Sequence, residues 1–303
     1  MSINKVLIIG SGTMGYQIAL QFAMHGLEVN LYDIKEEALK KAMDNIGGLA
    51  EKLVQNGYLK EDKQTVLKRI TPTTEKNVAV KDIDLINESI LEDPEVKGKL
   101  FAEFDKLCPQ HVIFTSNTSQ LIPAMFAEKT GRPDRFLAWH FGNPVWKEYQ
   151  VDVMPHSGTD PKVTQAVIEL SRKIWQMPIL FKKEFSGYIH NHLMKAYMKA
   201  AMEIVLNGVA DYKDVDRVWI LNEGSMPPFA RMDHMSLDTS YQSAKVAAEM
   251  TGDEFATKFA AYLYDNFVSK GKMGMKSGEG FYKYPHPEFE QEGFVEKYFE
   301  VSN

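Results

Sequence analysis

Cysteine is almost absent. Cys108 stands alone among 303 residues, which excludes an intrachain disulfide and any metal site built on paired cysteines. Its position at the end of a helix-like stretch reads as a small buried side chain rather than a catalytic thiol. No HExxH motif occurs. His190 and His192 form an HxH, but on a helix they would point about 200° apart, so no metal site is expected. No apolar run approaches the length of a membrane span. Positive charge is not in excess: the net charge of −6 argues against general affinity for nucleic acid or anionic membranes, while a local basic patch remains open. The first residues pass into a strand pattern without a signal-like or transit-like segment, so a cytoplasmic enzyme is expected. Internal repeats and low-complexity tracts are missing. What remains, 44% hydrophobic and 25% charged, is the make-up of a globular protein long enough for two domains.

The most informative stretch is the first. Val6–Ile9 is an unbroken apolar run, Gly10-Ser11-Gly12-Thr13-Met14-Gly15 follows it, and residues 16–23 continue with apolar residues at helical spacing. Strand, glycine turn and helix in that order suit a dinucleotide pyrophosphate. Gly10 permits the tight turn, Gly12 lets the backbone approach the phosphates, and Gly15 lets helix and strand pack closely. Thr13 and Met14, inside the motif, are cofactor-binding candidates, and the free N–H groups at the start of the following helix would face the anion. Glu28–Asp33 reads as a second strand ending in an acid, and Asp33 stands at about the spacing of a carboxylate that holds an adenosine ribose. That charge favours NAD over NADP, with the nearby Lys35 keeping NADP open.

Downstream, residues 35–70 form a charged, helix-prone excursion longer than a simple crossover. It is either a solvated helical pair or a flap whose Lys40, Lys41, Lys52 and Lys60 meet an anionic ligand. Sheet strands resume at 70–72, 84–88 and 111–115. In an open parallel sheet, ligands sit beyond the carboxyl ends of the strands, which makes Asn87, Glu88 and Ser116-Asn117-Thr118-Ser119 candidates. Residues 135–140 form an apolar run ending in His140, and residues 149–154 alternate like a strand; if the two pair, Asp152 can approach His140. After about Lys183 strand patterns cease, and helical segments follow. Their Met and aromatic stripes read as core or subunit interface. The chain is thus expected to be α/β Rossmann-type over 1–183, with a helical hairpin at about 35–70, followed by an all-α domain over 184–303. Residues 271–280 read as a flexible, glycine-rich surface loop, since no GK[ST] signature supports a phosphate loop.

A nicotinamide enzyme that oxidises an alcohol needs a base for the hydroxyl proton. Histidine, oriented by a carboxylate on its far ring nitrogen, suits that task. His140 and Asp152 are the candidate pair, with Ser119 and Asn191 as candidates to hold the substrate oxygen; a structural histidine at a strand end is the bland alternative.

The chain resembles the L-3-hydroxyacyl-CoA dehydrogenases over nearly its whole length. Ser116–Ser119 is similar to that family's SNTS segment, His140–Val145 to its HFFNP segment, and Gly187–Asn191 to the GFxxN that opens its helical domain. The resemblance implies that His140 is the general acid/base and that Asp152 stands where the family has a Glu partner. It further implies that Ser119 and Asn191 hydrogen-bond the substrate, that Glu88 lies toward the nicotinamide, and that Asn117 belongs to the same cofactor edge. By the same resemblance, the 35–70 hairpin would help bind CoA and the helical domain would carry a homodimer interface. A short 3-hydroxyacyl-CoA is the expected substrate. Two departures stand out: Asp152 is about 1.5 Å shorter in reach than Glu, and Gly142 replaces a bulky aromatic, which would enlarge or reshape the pocket. They leave open a dehydrogenase of a free hydroxy acid, of carnitine or gulonate type, and a weakly active NAD-binding structural or regulatory protein.

Overall fold

The structure is a computed structural model that describes residues 3–295. The chain divides into two compact units, Met1–Ile189 and His190–Asn303. The first unit is built on one eight-stranded sheet with the order β3-β2-β1-β4-β5-β6-β7-β8. Its strands are β1 (Lys5–Ile9), β2 (Glu28–Tyr32), β3 (Ile70–Thr73), β4 (Leu85–Glu88), β5 (Ile113–Ser116), β6 (Phe136–Phe141), β7 (Gln150–Pro155) and β8 (Met177–Leu180). All neighbours are parallel except β6 and β7, which run antiparallel. The helices of this unit are α1 (Thr13–Met24), α2 (Glu36–Gln55), α3 (Lys63–Leu67), α4 (Lys76–Ala79), α5 (Pro94–Asp105) and α6 (Pro161–Lys173).

Period-two alternation sorts the strand residues between two cores. Val6, Ile8, Val29 and Leu31 join α1, α2 and α6 on one face. Leu7, Ile9, Ile86 and Phe114 join Phe101 and Phe104 of α5 on the other. The chain order reverses between β1 and β4, which lie side by side, so a crevice opens beyond the ends of these strands.

Sequence signals set where several helices begin. Asp93 accepts from the N–H groups of Glu95 and Val96 at 2.8 and 3.1 Å, with Pro94 in the first helical position of α5. Asp160 and Pro161 repeat the device at α6. By contrast, α1 starts at Gly12 with no side-chain cap and no acidic residue in its first turn. Its first N–H groups are left for a ligand.

The second unit is helical: α7 (Ile189–Leu206, its first residue belonging to the preceding unit), α8 (Tyr212–Glu223), α9 (Pro228–Met235), α10 (Leu237–Thr251) and α11 (Glu254–Asn266). Its core gathers Met202, Phe229, Met232, Leu263, Phe281 and Tyr282. Residues 271–280 lie largely at the surface, as expected, with Gly274 and Gly280 buried. A Cβ on Gly274, whose φ is +86°, would lie 2.3 Å from the Asp233 carbonyl oxygen, and one on Gly280 would lie 2.0 Å from Asp233 Oδ1. The glycines are there because the loop wraps closely around a buried aspartate. No helix among the described residues is long and apolar enough to cross a membrane.

Candidate active site

The three motif glycines meet three different demands. Gly10 has φ +94°, and a Cβ there would lie 2.6 Å from the carbonyl oxygen of Ser89. A Cβ on Gly15 would fall 1.7 Å from the carbonyl oxygen of Gly10. Gly12 has ordinary φ and nothing within 4 Å of its would-be Cβ. Its bareness is unused by the protein itself, which fits a backbone that a pyrophosphate approaches. Thr13 and Met14 form the first helical positions behind it.

Asp33 sits just past β2, at the same edge. Its Oδ2 accepts from the N–H and the hydroxyl of Ser11 at 2.9 and 2.8 Å, and its Oδ1 accepts from the N–H of Lys35 at 3.1 Å. The acid is therefore pinned to the glycine turn. Lys35, the residue that kept NADP open, meets Asp33 through its backbone. The uncapped α1, open Gly12 and fixed Asp33 together fit a dinucleotide. Beside them, a cavity of about 590 Å³ is lined by Glu36, Leu39, Lys40, Met43, Pro72 and Thr73.

At the end of β4, Glu88 turns inward. Its side chain is fully buried; Lys97 Nζ donates to Oε1 at 2.6 Å, the Ile90 N–H to the same oxygen at 2.7 Å, and the Ser116 hydroxyl to Oε2 at 2.6 Å. Burial pushes this carboxyl up, while Lys97, Ser116 and Ile90 pull it back. Glu88 is thus held on both oxygens by donors of the protein itself. Glu92 does a related task at the rim: its Oε1 accepts the N–H groups of Ser119 and Gln120, each at 2.9 Å, and the Thr118 hydroxyl. Burial raises the Glu92 carboxyl, but these donors and Lys97 outweigh it and hold it below the usual range. The half-buried Ser119 is thereby fixed through its backbone. Asn117 accepts from the N–H of Phe141 at 2.9 Å, tying this loop to β6.

On β6 and β7, His140 and Asp152 are directly opposite in the antiparallel register. His140 Nδ1 lies 3.1 Å from Asp152 Oδ2, and Gln150 Nε2 donates to Asp152 Oδ1 at 2.8 Å. Aspartate reaches the ring despite its short arm because facing residues in such a pair are close. The histidine is partly exposed and the aspartate buried. The Tyr188 ring centroid is 4.6 Å from that of His140. Asn191 stands in the first turn of α7, in the helical unit.

Of the two effects expected of Gly142, enlarging or reshaping its surroundings, the packing favours the second. A Cβ there would lie 2.6 Å from Glu148 Cβ, so Glu148 packs where a side chain at 142 would begin. The lone thiol, Cys108, is buried, and burial pushes it up to about 11, far from a reactive thiolate. No group of three or more metal-ligating side chains occurs among the described residues.

Sequence reasoning passed over Gln17, Glu92, Lys97, Gln150 and Tyr188. Only Gln150 carried a local signal, standing two residues before Asp152 and hence on the same face of a strand.

Comparison with known proteins gives two family matches: the 3-hydroxyacyl-CoA dehydrogenase NAD binding domain over residues 5–185, and the 3-hydroxyacyl-CoA dehydrogenase C-terminal domain over residues 187–284. The mitochondrial hydroxyacyl-coenzyme A dehydrogenase of Homo sapiens is 32% identical over 289 residues, covering 93% of this chain and 91% of its own. Among solved structures, a diketoreductase described for dual catalysis of dicarbonyl compounds is 37% identical, with a TM-score of 0.86 over 94% of this chain and 100% of its own. The (S)-3-hydroxybutyryl-CoA dehydrogenase of Ralstonia eutropha is 30% identical, with a TM-score of 0.82 over 94% of this chain and 100% of its own.

Proposed function

The chain belongs to the 3-hydroxyacyl-CoA dehydrogenase family, and on that premise we propose that it interconverts short 3-hydroxyacyl-CoA and 3-oxoacyl-CoA with NAD(H), using His140 as general acid/base. The observation that carries this reading is the His140–Asp152 pair. With Nδ1 turned to the carboxylate, Nε2 is the ring nitrogen left to face a substrate oxygen. When bound, the nicotinamide supplies the acceptor or donor of the hydride exchanged with C3. In oxidation, His140 takes the hydroxyl proton as C3 becomes a carbonyl; in reduction it returns that proton to the carbonyl oxygen. Asp152 keeps the ring oriented and stabilises the imidazolium, and Gln150 in turn holds Asp152. Ser119 would hold a substrate oxygen, and the family resemblance adds Asn191 as a second candidate for that task. Gly10, Gly12, Thr13, Met14 and Gly15 take the pyrophosphate, Asp33 the adenosine ribose, and Asn117 orders the edge where the nicotinamide would lie. The cavity beside Lys40 is a place for the polar end of a long ligand. The helical unit would supply the contact between two copies.

The test is His140→Gln, assayed with acetoacetyl-CoA and NADH. Turnover should fall at least about 100-fold with NADH binding retained; near-parental turnover sinks the assignment. Similarity to the diketoreductase favours a second reading, a substrate without the CoA portion. A panel of 3-oxo substrates with and without CoA, run with NADH and NADPH, separates the two.

A further inference from the structure

Gln17 is buried in α1, one turn beyond Thr13, and is only 4% exposed. Methionine would fill that space without taking an amide out of water, so the amide is kept for its bonds. Its orientation follows from the main chain alone. A main-chain N–H can only donate, and that of Val145 meets Oε1 at 3.0 Å. A main-chain carbonyl can only accept, and that of Thr13 meets Nε2 at 2.9 Å. The second Nε2 hydrogen goes to the side chain of Asn143, at 3.2 Å. Whatever meets that hydrogen must be an acceptor, so Asn143 turns Oδ1 to Gln17. A carboxamide carries its oxygen and nitrogen on diverging bonds. With Oδ1 held, Nδ2 is turned aside from Gln17, and it has no partner among the described residues. Asn143 is exposed and stands three residues after His140. It is bonded to the same amide that holds Thr13, the first residue of α1. Its free donor therefore lies on the edge that joins the glycine turn to the histidine.

We propose that Gln17 is a positioning residue for this site. It locks the Asn143 amide with its oxygen inward and its nitrogen outward, and so presents a pre-set N–H donor to an acceptor oxygen of the bound cofactor or of the substrate. An exposed asparagine left to itself offers either end of its amide, and the wrong end would set oxygen against oxygen. Gln17 removes that orientation before a ligand arrives, which strengthens binding without touching the ligand. The inference rests on the NAD(H)-dependent reading of the site.

The experiment is a double-mutant cycle on the full chain with Gln17→Met, Asn143→Ala and the two together. The readouts are the Kd for NADH, by fluorescence titration, and the KM for acetoacetyl-CoA. Asn143→Ala should weaken one of the two about tenfold, and the one that weakens says whether the acceptor oxygen belongs to the cofactor or to the substrate. Gln17→Met should weaken the same one about fivefold. In the Asn143→Ala background it should change it by less than about twofold, because its effect passes through that amide. Gln17→Glu, which keeps an acceptor for Val145 and lacks Nε2, should follow the same pattern and carries the test if Gln17→Met does not fold. Losses that multiply in the double variants overturn the proposal, because they place the effect of Gln17 in the packing of α1. A lowered Tm with both readouts parental is the mark of a structural role and overturns it too. A parent chain that binds no NADH overturns the functional reading and the inference with it. A parent that binds NADH while the losses multiply overturns the inference alone.

Discussion

In the α/β unit, a carboxylate is buried beside an ammonium: Glu88 and Lys97 are both almost wholly inaccessible and 2.6 Å apart. In the helical unit, two carboxylates are buried among neutral donors. Asp216 accepts from the N–H of Phe229 at 3.1 Å and the hydroxyl of Tyr282 at 2.7 Å. Asp233 accepts from the N–H groups of Phe281 and Tyr282, each at 2.9 Å, and from the hydroxyl of Tyr284 at 3.1 Å. Burial, only partly offset by these donors, pushes Asp216 and Asp233 each up to about 6. Burial raises all three carboxyls, and the difference lies in what opposes it: a full counter-charge beside Glu88, and N–H and O–H dipoles around Asp216 and Asp233. The two units should therefore respond differently to the loss of a partner.

Removing the ammonium should have the largest effect. Lys97→Met leaves Glu88 buried without its counter-charge, and the cost should be about 3–5 kcal/mol, read by denaturant unfolding of the α/β unit. A loss below about 1 kcal/mol would show that Ser116 and Ile90 suffice for Glu88, and the contrast between the units would disappear.

Acid supplies the second test. For Asp216 and Asp233 the folded state holds a proton that the unfolded chain releases between about pH 4 and pH 6. Their contribution is therefore full below about pH 4 and is lost as pH rises through about 6. Each group should account for about 2–3 kcal/mol over that window. The Tm of the helical unit should rise as pH falls from 7 toward 4, and Asp233→Asn should flatten that slope. A parental slope in the variant would remove Asp233 from the account.

The smallest effect should come from Tyr282→Phe, which deletes one hydroxyl donor to Asp216. A cost of about 1 kcal/mol at pH 7 is expected in thermal unfolding, with the Asp216 carboxyl moving further up. An unchanged Tm would mean that the Phe229 N–H carries Asp216 alone.

Contacts made by neighbours in sequence were readable, and those made across the chain were not. The glycine turn could be read because Gly10, Gly12 and Gly15 serve one turn and one helix start. The strand patterns of β6 and β7 could be read too, and their pairing sets His140 opposite Asp152. Lys97 and Glu88 are nine residues apart on different elements, and a lysine in a helix gives no sign that it will be buried. Residues 271–280 could be read as a surface loop, but not that Gly274 and Gly280 pack against Asp233, some forty residues earlier. At Gly142 enlarging and reshaping could not be told apart, because a sequence shows what a residue lacks and not which neighbour moves in.

Gln17 has a consequence for where the chain can change length. This buried residue of α1 donates through Nε2 to the Thr13 carbonyl oxygen at 2.9 Å and to Asn143 Oδ1 at 3.2 Å, while its Oε1 accepts the N–H of Val145 at 3.0 Å. One amide thus acts as a ruler between the glycine turn and the segment that follows His140. A residue inserted between Gly15 and Gln17 would swing the amide about 100° around the helix axis. Both ends of the ruler would then let go, although every glycine and the histidine remained in place. The stretch from turn to Gln17 is a fixed length.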